Sequence, residues 1–378
     1  MSTVRTNAIL DVSGGNTATI NSMTPTADSL QGFRNRIING DMRIDQRGGT
    51  ITVNNLAVFY GIDRFSGVGQ SADGVFTMVQ DTSAPSGFVN SLKVTVTTAD
   101  ASIGASQYYT VQQLIEGTNV SDLAWGTASA KTVTLSFWAR SSVTGTFGGS
   151  LRNANGDRSY PFTYSISAAN TWEQKSVTIA GDTTGTWLTT TGIGIRVNFG
   201  IGTGSSGVGT AGAWAGANYY SATGATNLIS TLSATWYITG VQLEVGSVAT
   251  PFERRDYGRE LIMCQRYYEK SYDVGTAVGT NIVSTGYGAF YFTGSSDNGS
   301  SIVNFMKFAV NKRAKPTTFT WRTQGTSGSW EYGRSATTGT ATTTTFQEGE
   351  TGFGIYLNAG AANATAYMYG CWAASSEL

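Results

Sequence analysis

Short runs in which apolar and polar residues alternate recur along the chain and are separated by glycine-rich turns. Apolar residues occupy every second position in SLKVTVTT at 91–98, TVTLSFWA at 132–139 and TGIGIRVNFG at 191–200. A period of two is typical of a strand that buries one face. No helical pattern separates these runs, which disfavours parallel βαβ folds. The pattern therefore predicts an all-β fold with an antiparallel jelly-roll sandwich.

The segment ATWYITGVQLEVG at 234–246 predicts a long strand with an irregularity in its middle. The apolar residues before the dipeptide at 239–240 have one parity, and those after it have the other. One inserted residue in a strand is a β-bulge, and glycine tolerates the backbone angles that a bulge requires. We therefore expect a bulge at Gly240, in a strand that closes the sandwich.

Residues 254–270, RRDYGRELIMCQRYYEK, predict one connecting α-helix. The residues that recur at offsets of four, three and four are Tyr257, Leu261, Cys264 and Tyr268. Such spacing places side chains on one stripe of a helix. The stripe either covers the end of one sandwich or meets two further copies on a threefold axis. The spacing alone leaves both possibilities open, and these four residues are the candidate contacts of a trimer.

The helix divides the chain into predicted domains. Residues 33–253 form the jelly-roll sandwich, and residues 271–378 form a second, smaller β-sandwich domain with strands in GAFYFTG, IVNFMKFAV, KPTTFTWRT and FGIYLNAG. Residues 1–32 are polar and short of aromatic side chains, so we expect them to fold only on a partner.

Composition excludes several functions. Lys and Arg total 24 and Asp and Glu total 24, so the chain lacks the electrostatic footprint of a nucleic-acid binder. Histidine is absent, which removes imidazole-based triads and metal sites that need a ring nitrogen. The cysteines, Cys264 and Cys371, are too few for a four-thiolate metal site, and the sequence leaves their pairing open. We predict no cofactor and no metal site.

The start of the chain lacks the apolar core of a secretory signal, and no apolar run is long enough to span a bilayer. We expect synthesis in a cytoplasm and no membrane insertion.

Aromatic residues are frequent in turn-rich segments. Those in AWAGANYYSATG and around QGTSGSWEYG are Trp214, Tyr219, Tyr220, Trp321, Trp330 and Tyr332. A rigid aromatic plane beside amides and hydroxyls is what recognition of a cell-surface glycan requires. The alternative is that these large side chains fill cores or subunit interfaces. We take the six as candidate glycan-binding residues.

The segment FRNRIINGDMRIDQRGGT at 33–50 concentrates charge in a chain that has little. Its apolar residues would pack an initial strand, and Asn39-Gly40 is a tight-turn dipeptide. Its arginines lie close to Asp41 and Asp45, which indicates either an ion-paired network at a junction or a solvated strand edge.

Three segments together resemble sequences found in tail fibres and related fibre-like structural proteins of tailed bacteriophages. They are FRNRIINGDMRIDQRGGT at 33–50, GVQLEVGSVATPFERRDYGRELIMCQRYYEKSY at 240–272 and AYMYGCWAASSEL at 366–378. The resemblance implies a sandwich like those of carbohydrate-binding modules, a linking helix and a distal β domain, often around a threefold axis. The family's usual proline after ERR is Asp256 here, which offers an acid to the helix dipole.

The resemblance implies a homotrimeric virion fibre of the tail or baseplate. Residues 1–32 would attach to other virion proteins, and residues 271–378 would present a receptor-binding tip to host polysaccharide or lipopolysaccharide without catalysis. One alternative is a head fibre, capsid decoration protein or fibre adaptor. Another is a tail-borne glycan depolymerase, which needs two paired carboxylates. Its candidates, which no spacing pairs, are Asp157, Glu173, Asp297 and Glu331. Asp63, Asp73 or Asp100 could contribute to a structural calcium site, although no spacing supports one.

Overall fold

A computed structural model describes residues 33–378 apart from 55–56, 283–289, 296–300, 324, 335–336 and 359–364. The predicted attachment segment 1–32 lies outside the described residues. Within them the protein is all-β, with antiparallel sheets and one α-helix, as the sequence predicts. No helix in this described part is long and apolar enough to cross a membrane.

The first part of the chain supplies fourteen strands. In chain order they are β1 (Ile51–Val53), β2 (Val58–Tyr60), β3 (Phe65–Gly69), β4 (Val75–Asp81), β5 (Ser91–Thr98), β6 (Tyr108–Glu116), β7 (Val133–Ser141), β8 (Gly145–Arg152), β9 (Ser159–Ile166), β10 (Glu173–Ile179), β11 (Ile193–Thr203), β12 (Val208–Gly209), β13 (Ser221–Ala222) and β14 (Thr235–Val245). Two six-stranded sheets have the orders β1-β4-β5-β14-β7-β10 and β2-β3-β6-β11-β8-β9. The short strands β12 and β13 pair in parallel.

The core of this sandwich lies between the two six-stranded sheets. The alternating apolar residues of the predicted strands point into it: Leu92, Val94 and Val96 from β5 and Val133, Leu135 and Phe137 from β7 are all buried. The opposing sheet contributes Ile195, Val197 and Phe199 from β11. Successive side chains of a strand point to opposite faces, so the residues that alternate with Ile195, Val197 and Phe199 face away from the core.

The predicted bulge is present in β14. The pairing of β14 with β7 shifts between Thr239 and Gln242, and Gly240 has a positive φ of 63°. The next residue, Val241, donates its N–H to the Gly40 carbonyl oxygen at 2.9 Å. A Cβ at Gly40 would overlap the Val241 carbonyl oxygen, so glycine is required for this approach. The bulge therefore holds the turn at Asn39-Gly40 against the sandwich.

The segment 33–48 forms no strand, contrary to the prediction, although its apolar residues Ile37, Ile38, Met42 and Ile44 are buried. Part of its backbone bonds to side chains, since Gln113 accepts from the Ile38 N–H at 2.9 Å and donates to the Ile38 carbonyl at 2.9 Å. Another part bonds to β14, since the Arg36 N–H donates to the Leu243 carbonyl oxygen at 2.9 Å. The predicted turn at Asn39-Gly40 is confirmed.

The helix is shorter than predicted. α1 spans Tyr257–Gln265, and Asp256 caps it by accepting a hydrogen bond from the Arg259 N–H at 3.0 Å. The predicted stripe does not stay on one helix, because Tyr268 lies in strand β15 (Tyr268–Lys270). Cys264 is fully buried, and Leu261 packs beside it in a cluster with Ile38, Ile44 and Tyr267 of the same chain. Cys264 and Tyr268 are therefore buried within the chain, Leu261 is partly buried and Tyr257 is 46% exposed, and the trimer contact through this stripe stays a prediction.

The rest of the chain adds seven more strands. They are β16 (Phe290–Ser295), β17 (Ser301–Lys307), β18 (Thr317–Trp321), β19 (Ser329–Arg334), β20 (Thr337–Phe346), β21 (Gly352–Asn358) and β22 (Thr365–Ser375). The third sheet has the order β15-β22-β19-β20-β21-β17, and β16 and β18 also pair with β22. The threonine-rich stretch ATTGTATTTTF falls largely in β20, a strand that hydrophobic alternation does not reveal.

Ionic contacts join the end of the chain to the first sandwich. Glu377 forms ion pairs with Arg64 and with Arg47, the latter at 3.1 Å. The Tyr60 hydroxyl donates to the Leu378 carbonyl at 2.7 Å. Arg266, just after α1, forms a two-pronged ion pair with Glu116 at 2.7 and 2.9 Å. Arg47 of the 33–50 segment thus belongs to an ion-paired junction, while Arg34, Arg36 and Arg43 pair with Glu244, Asp122 and Asp41.

Candidate functional site

The outer face of the second sheet is unusually polar. In β11 the core residues Ile195, Val197 and Phe199 alternate with Arg196 and Asn198, which project from the opposite face. Strand register sets Asn198 opposite Gln112 of β6 and Ser150 of β8. The same register sets Arg196 directly opposite Arg152. A polar floor therefore crosses three neighbouring strands.

Above this floor lies an open cleft of about 270 Å³. Its polar and aromatic lining includes Tyr108, Gln112, Arg152, Arg196, Asn218 and Tyr220. A second depression of about 340 Å³ shares Tyr108, Asn218 and Tyr220 and adds Gln70 and Ser206. The two tyrosines thus stand between two adjoining hollows. We call the two hollows together the polar cleft.

Arg152 organises the polar cleft. Its guanidinium donates to the Asn218 Oδ1 atom and, at 3.3 Å, to Asn198 Oδ1. Asn218 in turn donates to the Tyr220 hydroxyl at 3.2 Å. The Arg152 side chain is buried, and its Nε atom has no hydrogen-bond partner. The network fixes the geometry of the cleft while leaving one buried donor unused.

Tyr220 does not offer a free aromatic plane. One ring face stacks on Tyr108, with centroids 3.6 Å apart, and the Arg152 guanidinium carbon lies 3.9 Å from the ring centroid. Neighbours this close on a flat ring take both faces. Tyr220 can therefore contact a ligand by its edge and its hydroxyl, so recognition in the cleft depends on polar groups more than on stacking.

The electrostatics of the cleft are set by two cations on adjacent strands. Burial lowers the pKa of the Arg152 guanidinium from its usual value, and the charge of Arg196 lowers it further. Burial likewise lowers the pKa of Arg196. An arginine stays protonated in a protein despite such shifts, so both charges are present at neutral pH. Burial raises the pKa of Tyr108, which keeps its hydroxyl neutral.

Of the predicted glycan-binding residues in the first sandwich, only Tyr220 lines the polar cleft. Tyr219, its neighbour, packs its ring on Gly209. Trp214 belongs to a separate cluster, in edge contact with Trp125 at 5.3 Å and with Trp187 at 5.4 Å, and its indole N–H donates to the Ala180 carbonyl at 2.7 Å. These two residues are not brought together with Tyr220.

The three candidates in the second β region also do not form one site. Trp330 is fully buried in the core there and donates its N–H to the Cys371 carbonyl at 3.0 Å, so its prediction as a glycan platform is wrong. Tyr332 is partly buried against the same core. Trp321 is partly buried, with its ring 6.1 Å from Phe319.

The carboxylates proposed for a depolymerase hold separate structural partners. Asp157 accepts from the Asn153 side-chain amide, and Glu173 pairs with Lys175 at 2.6 Å. Glu331 accepts from the Thr323 hydroxyl at 3.0 Å. Asp297 lies outside the described residues. Of the three carboxylates that the structure describes, Asp157 lies in a loop, Glu173 in the first sheet and Glu331 in the third. None of them lines the polar cleft.

The three aspartates considered for calcium also have protein partners. Asp63 accepts from Gln46, Asp73 from Ser71, and Asp100 from the Tyr109 hydroxyl. In the part of the chain that the structure describes, no three acidic or cysteine side chains are grouped to hold a metal ion. Cys264 and Cys371 are both buried and unpaired.

Most residues that line the polar cleft were not predicted from the sequence. Arg196 occupies an outward position between Ile195 and Val197, so strict alternation in 193–199 already marked it as facing away from the core. Arg196 is not aromatic and lies on a strand face, so the aromatic residues of the turns do not indicate it. The pairing of Arg196 with Arg152, however, depends on strand register, which the alternation pattern alone does not give.

No protein-family model matches the sequence, and a search of curated proteins finds no match. Solved structures match part of the chain. One is the enzymatically active domain of bacteriophage CBA120 tailspike protein 4, with a TM-score of 0.29 and 13% identity. The match covers 56% of this chain and 21% of the tailspike chain, so this chain spans about a fifth of that protein's length.

Two carbohydrate-binding modules match over nearly their whole lengths. The family 61 module TmCBM61, in complex with β-1,4-galactotriose, has a TM-score of 0.28 and 8% identity, and the match covers 56% of this chain and 99% of the module. The family 11 module from Clostridium thermocellum, in complex with a mixed-linked tetrasaccharide, has a TM-score of 0.27 and 11% identity, over 54% and 99%. Likenesses this distant establish no family and decide nothing about the polar cleft.

Proposed function

We propose that this protein binds a saccharide chain in the polar cleft and does not cleave it. The observation that carries the proposal is the pair of adjoining hollows on either side of Tyr108 and Tyr220, lined by guanidinium and carboxamide groups. Sugars present hydroxyls that such groups bind, and convergent polar groups in a concave surface are typical of ligand sites. Two adjoining hollows suit at least two consecutive sugar residues.

Binding without cleavage is supported by the chemistry of the lining. Glycoside hydrolysis uses two carboxyl groups about 5–10 Å apart, flanking the scissile bond. The residues around the polar cleft contribute arginines, amides and tyrosines, and no carboxylate is among them. This lining supports a cleft that holds a sugar chain by hydrogen bonds without cutting it.

The wider proposal is a structural tail fibre protein of a bacteriophage that attaches by residues 1–32 and binds a host surface glycan. The resemblance of the three sequence segments supports it. Several weak sites on a homotrimer, and several fibres on a particle, would raise the overall avidity without any new contact. The proposed site lies on residues 33–253. In this proposal the first sandwich therefore binds the host glycan in addition to the predicted tip at 271–378.

The glycan proposal is tested with an array of bacterial surface polysaccharides and matched variants. Tyr220→Ala removes a lining side chain and its link to Asn218, and we expect at least about tenfold weaker binding. Tyr219→Ala is the control, since its ring packs outside the cleft. Equal affinities of wild type and Tyr220→Ala would contradict the site, and release of reducing ends from a bound polysaccharide would show a depolymerase instead.

The fibre proposal is tested by location and mass. Antibody labelling of intact particles is expected at the tail or baseplate, and light scattering of the purified chain is expected to give three times the monomer mass. Labelling on the capsid would favour the head-fibre or decoration alternative. Absence of label from purified particles would refute a virion role.

A further inference from the structure

Arg152 and Arg196 are cations of the cleft, and neither forms an ion pair with a carboxylate in the part of the chain that the structure describes. Most other buried arginines in the described residues have an acidic partner, as Arg64 has Glu377 and Arg255 has Glu260. The cleft arginines bond instead to neutral groups: Arg152 to asparagine oxygens and Arg196 to the Ala154 carbonyl at 3.2 Å. Their positive charge is therefore available to a ligand.

The arrangement of the two arginines is unfavourable for the isolated protein. Arg196 lies directly opposite Arg152 on adjacent antiparallel strands, and like charges in that position destabilise a sheet. Arg152 is also only 5% exposed, so its charge carries a desolvation cost. A polar group held at such a cost in a concave surface is a signature of a functional site.

We infer that the polar cleft takes a sugar residue bearing an oxyanion, a carboxylate or a sulfate, which sits at Arg152 and Arg196. Planar guanidinium groups bind such oxyanions through charge-assisted, often two-pronged, hydrogen bonds. Gln112 and Asn218 line the same cleft and supply neutral groups for the sugar hydroxyls. The inference rests on the proposed glycan-binding function and specifies its ligand class.

The first test compares matched acidic and neutral saccharides with the intact protein. The probes are oligogalacturonate against its carboxyl-reduced form, and sulfated galactan against its desulfated form. We expect the acidic member of at least one pair to bind about tenfold tighter at low salt, because a charged hydrogen bond is replaced by a neutral one in its partner. The preference is expected to shrink as sodium chloride is added.

Variants place the preference in the cleft. Arg196→Gln is expected to abolish the acidic preference and to weaken binding of acidic saccharides more than binding of neutral ones, and Arg196→Lys is expected to restore part of the preference. Arg140→Gln is the control, since Arg140 lies outside the cleft and donates to Ser83 Oγ at 2.7 Å. An equal loss in Arg140→Gln and Arg196→Gln would overturn the assignment, and thermal melting verifies that each variant is folded.

A further readout needs no saccharide and follows the arginine side chains directly. In protein labelled with ¹⁵N-arginine, inorganic sulfate is expected to shift the Nε resonances of Arg152 and Arg196 saturably, and not that of Arg140. Absence of a saturable shift overturns the inference, whatever the arrays show. Tight binding of neutral saccharides with no acidic preference also overturns it but leaves the glycan function intact. If no saccharide binds, the proposed function fails as well.

Discussion

Asp63 shows how burial acts on a single residue of the junction. Its carboxylate accepts hydrogen bonds from the backbone N–H and the side-chain amide of Gln46, both at 2.6 Å, and Arg47 lies 3.9 Å away. Desolvation nevertheless raises the pKa of Asp63 to about 6 from 3.8, and the charge of Glu377 adds to the increase. The ionised carboxylate is thus held in the folded protein at a cost.

The sign of the resulting pH dependence follows from linkage. Because the folded-state pKa lies above the unfolded value, the contribution of Asp63 to stability is fully present below pH 3.8 and is lost as the pH rises through about 6. We expect Asp63→Asn to remove that component, which is at most about 3 kcal/mol for a shift of this size. Urea unfolding of wild type and variant between pH 4 and 7 measures it. A constant difference between their unfolding free energies would contradict the expectation.

At the scale of the element, strand β14 depends on its bulge. It pairs with β5 on one side and β7 on the other, so it lies inside the first sheet. The extra residue at Thr239–Gly240 moves the core-facing side from Trp236 and Ile238 to Val241 and Leu243, all of which are fully buried. Without the bulge, one half of this strand would turn its apolar residues out of the core.

Gly240→Ala is expected to destabilise the protein by about 1–3 kcal/mol, since a non-glycine residue with positive φ is strained. The new Cβ would also lie 2.7 Å from the Phe88 ring. Gly275→Ala is the matched control, because a Cβ at Gly275 meets no atom within 4 Å and its φ is not positive. Thermal and urea unfolding of the two variants measure the difference. Equal stabilities would refute the role of the bulge.

At the scale of the whole molecule, ion pairs and hydrogen bonds at the end of the chain join the second β region to the first sandwich. Arg64 is 1% exposed, and its partner Glu377 lies two residues beyond strand β22. Arg313 donates to the carbonyl oxygens of Ser376 and Glu377 at 2.8 and 2.9 Å. Strands β15, β16, β18 and β19 all pair with β22. The contacts just beyond β22 therefore hold the third sheet against the first sandwich.

Glu377→Gln leaves the buried Arg64 charge without a counterion, and breaking a buried pair in this way costs about 3–5 kcal/mol. We expect a loss of this order in the free energy of unfolding. Lys315→Gln is the control, since Lys315 pairs with Glu348 at 3.2 Å but its side chain is 65% exposed; its loss is expected below about 1 kcal/mol. Comparable effects of the two substitutions in urea unfolding would show that the junction is not held by Glu377.

Local pattern was sufficient for features that depend on neighbours in the chain. Alternation predicts the strands that contain Val94, Leu135 and Val197, because a half-buried strand imposes a period of two wherever it pairs. The phase change at Gly240 predicts the bulge for the same reason. The acid at 256, expected to interact favourably with the helix dipole, caps α1, whose start at Tyr257 lies three residues after the predicted one.

The helix end shows where local pattern fails. Tyr268 lies at a helical offset from Cys264, yet it pairs with Ser375 of β22. A strand partner more than a hundred residues away supplied backbone hydrogen bonds that competed with the helix. Hydrophobic alternation does not predict β20 either, because the strand has few apolar residues and is held by its pairing with β19 and β21.

The sequence by itself determined the fold class, the bulge, the tight turn at Asn39-Gly40 and the neutral charge balance, since each depends on residue type and short spacing. Only the tertiary structure decided the polar cleft. Strand register brought Arg152 opposite Arg196, and the chain after β12 returned over them to place Tyr220. Contacts such as that of Arg152 with Asn218, 66 positions apart, depend on pairing and packing, which a one-dimensional pattern does not specify.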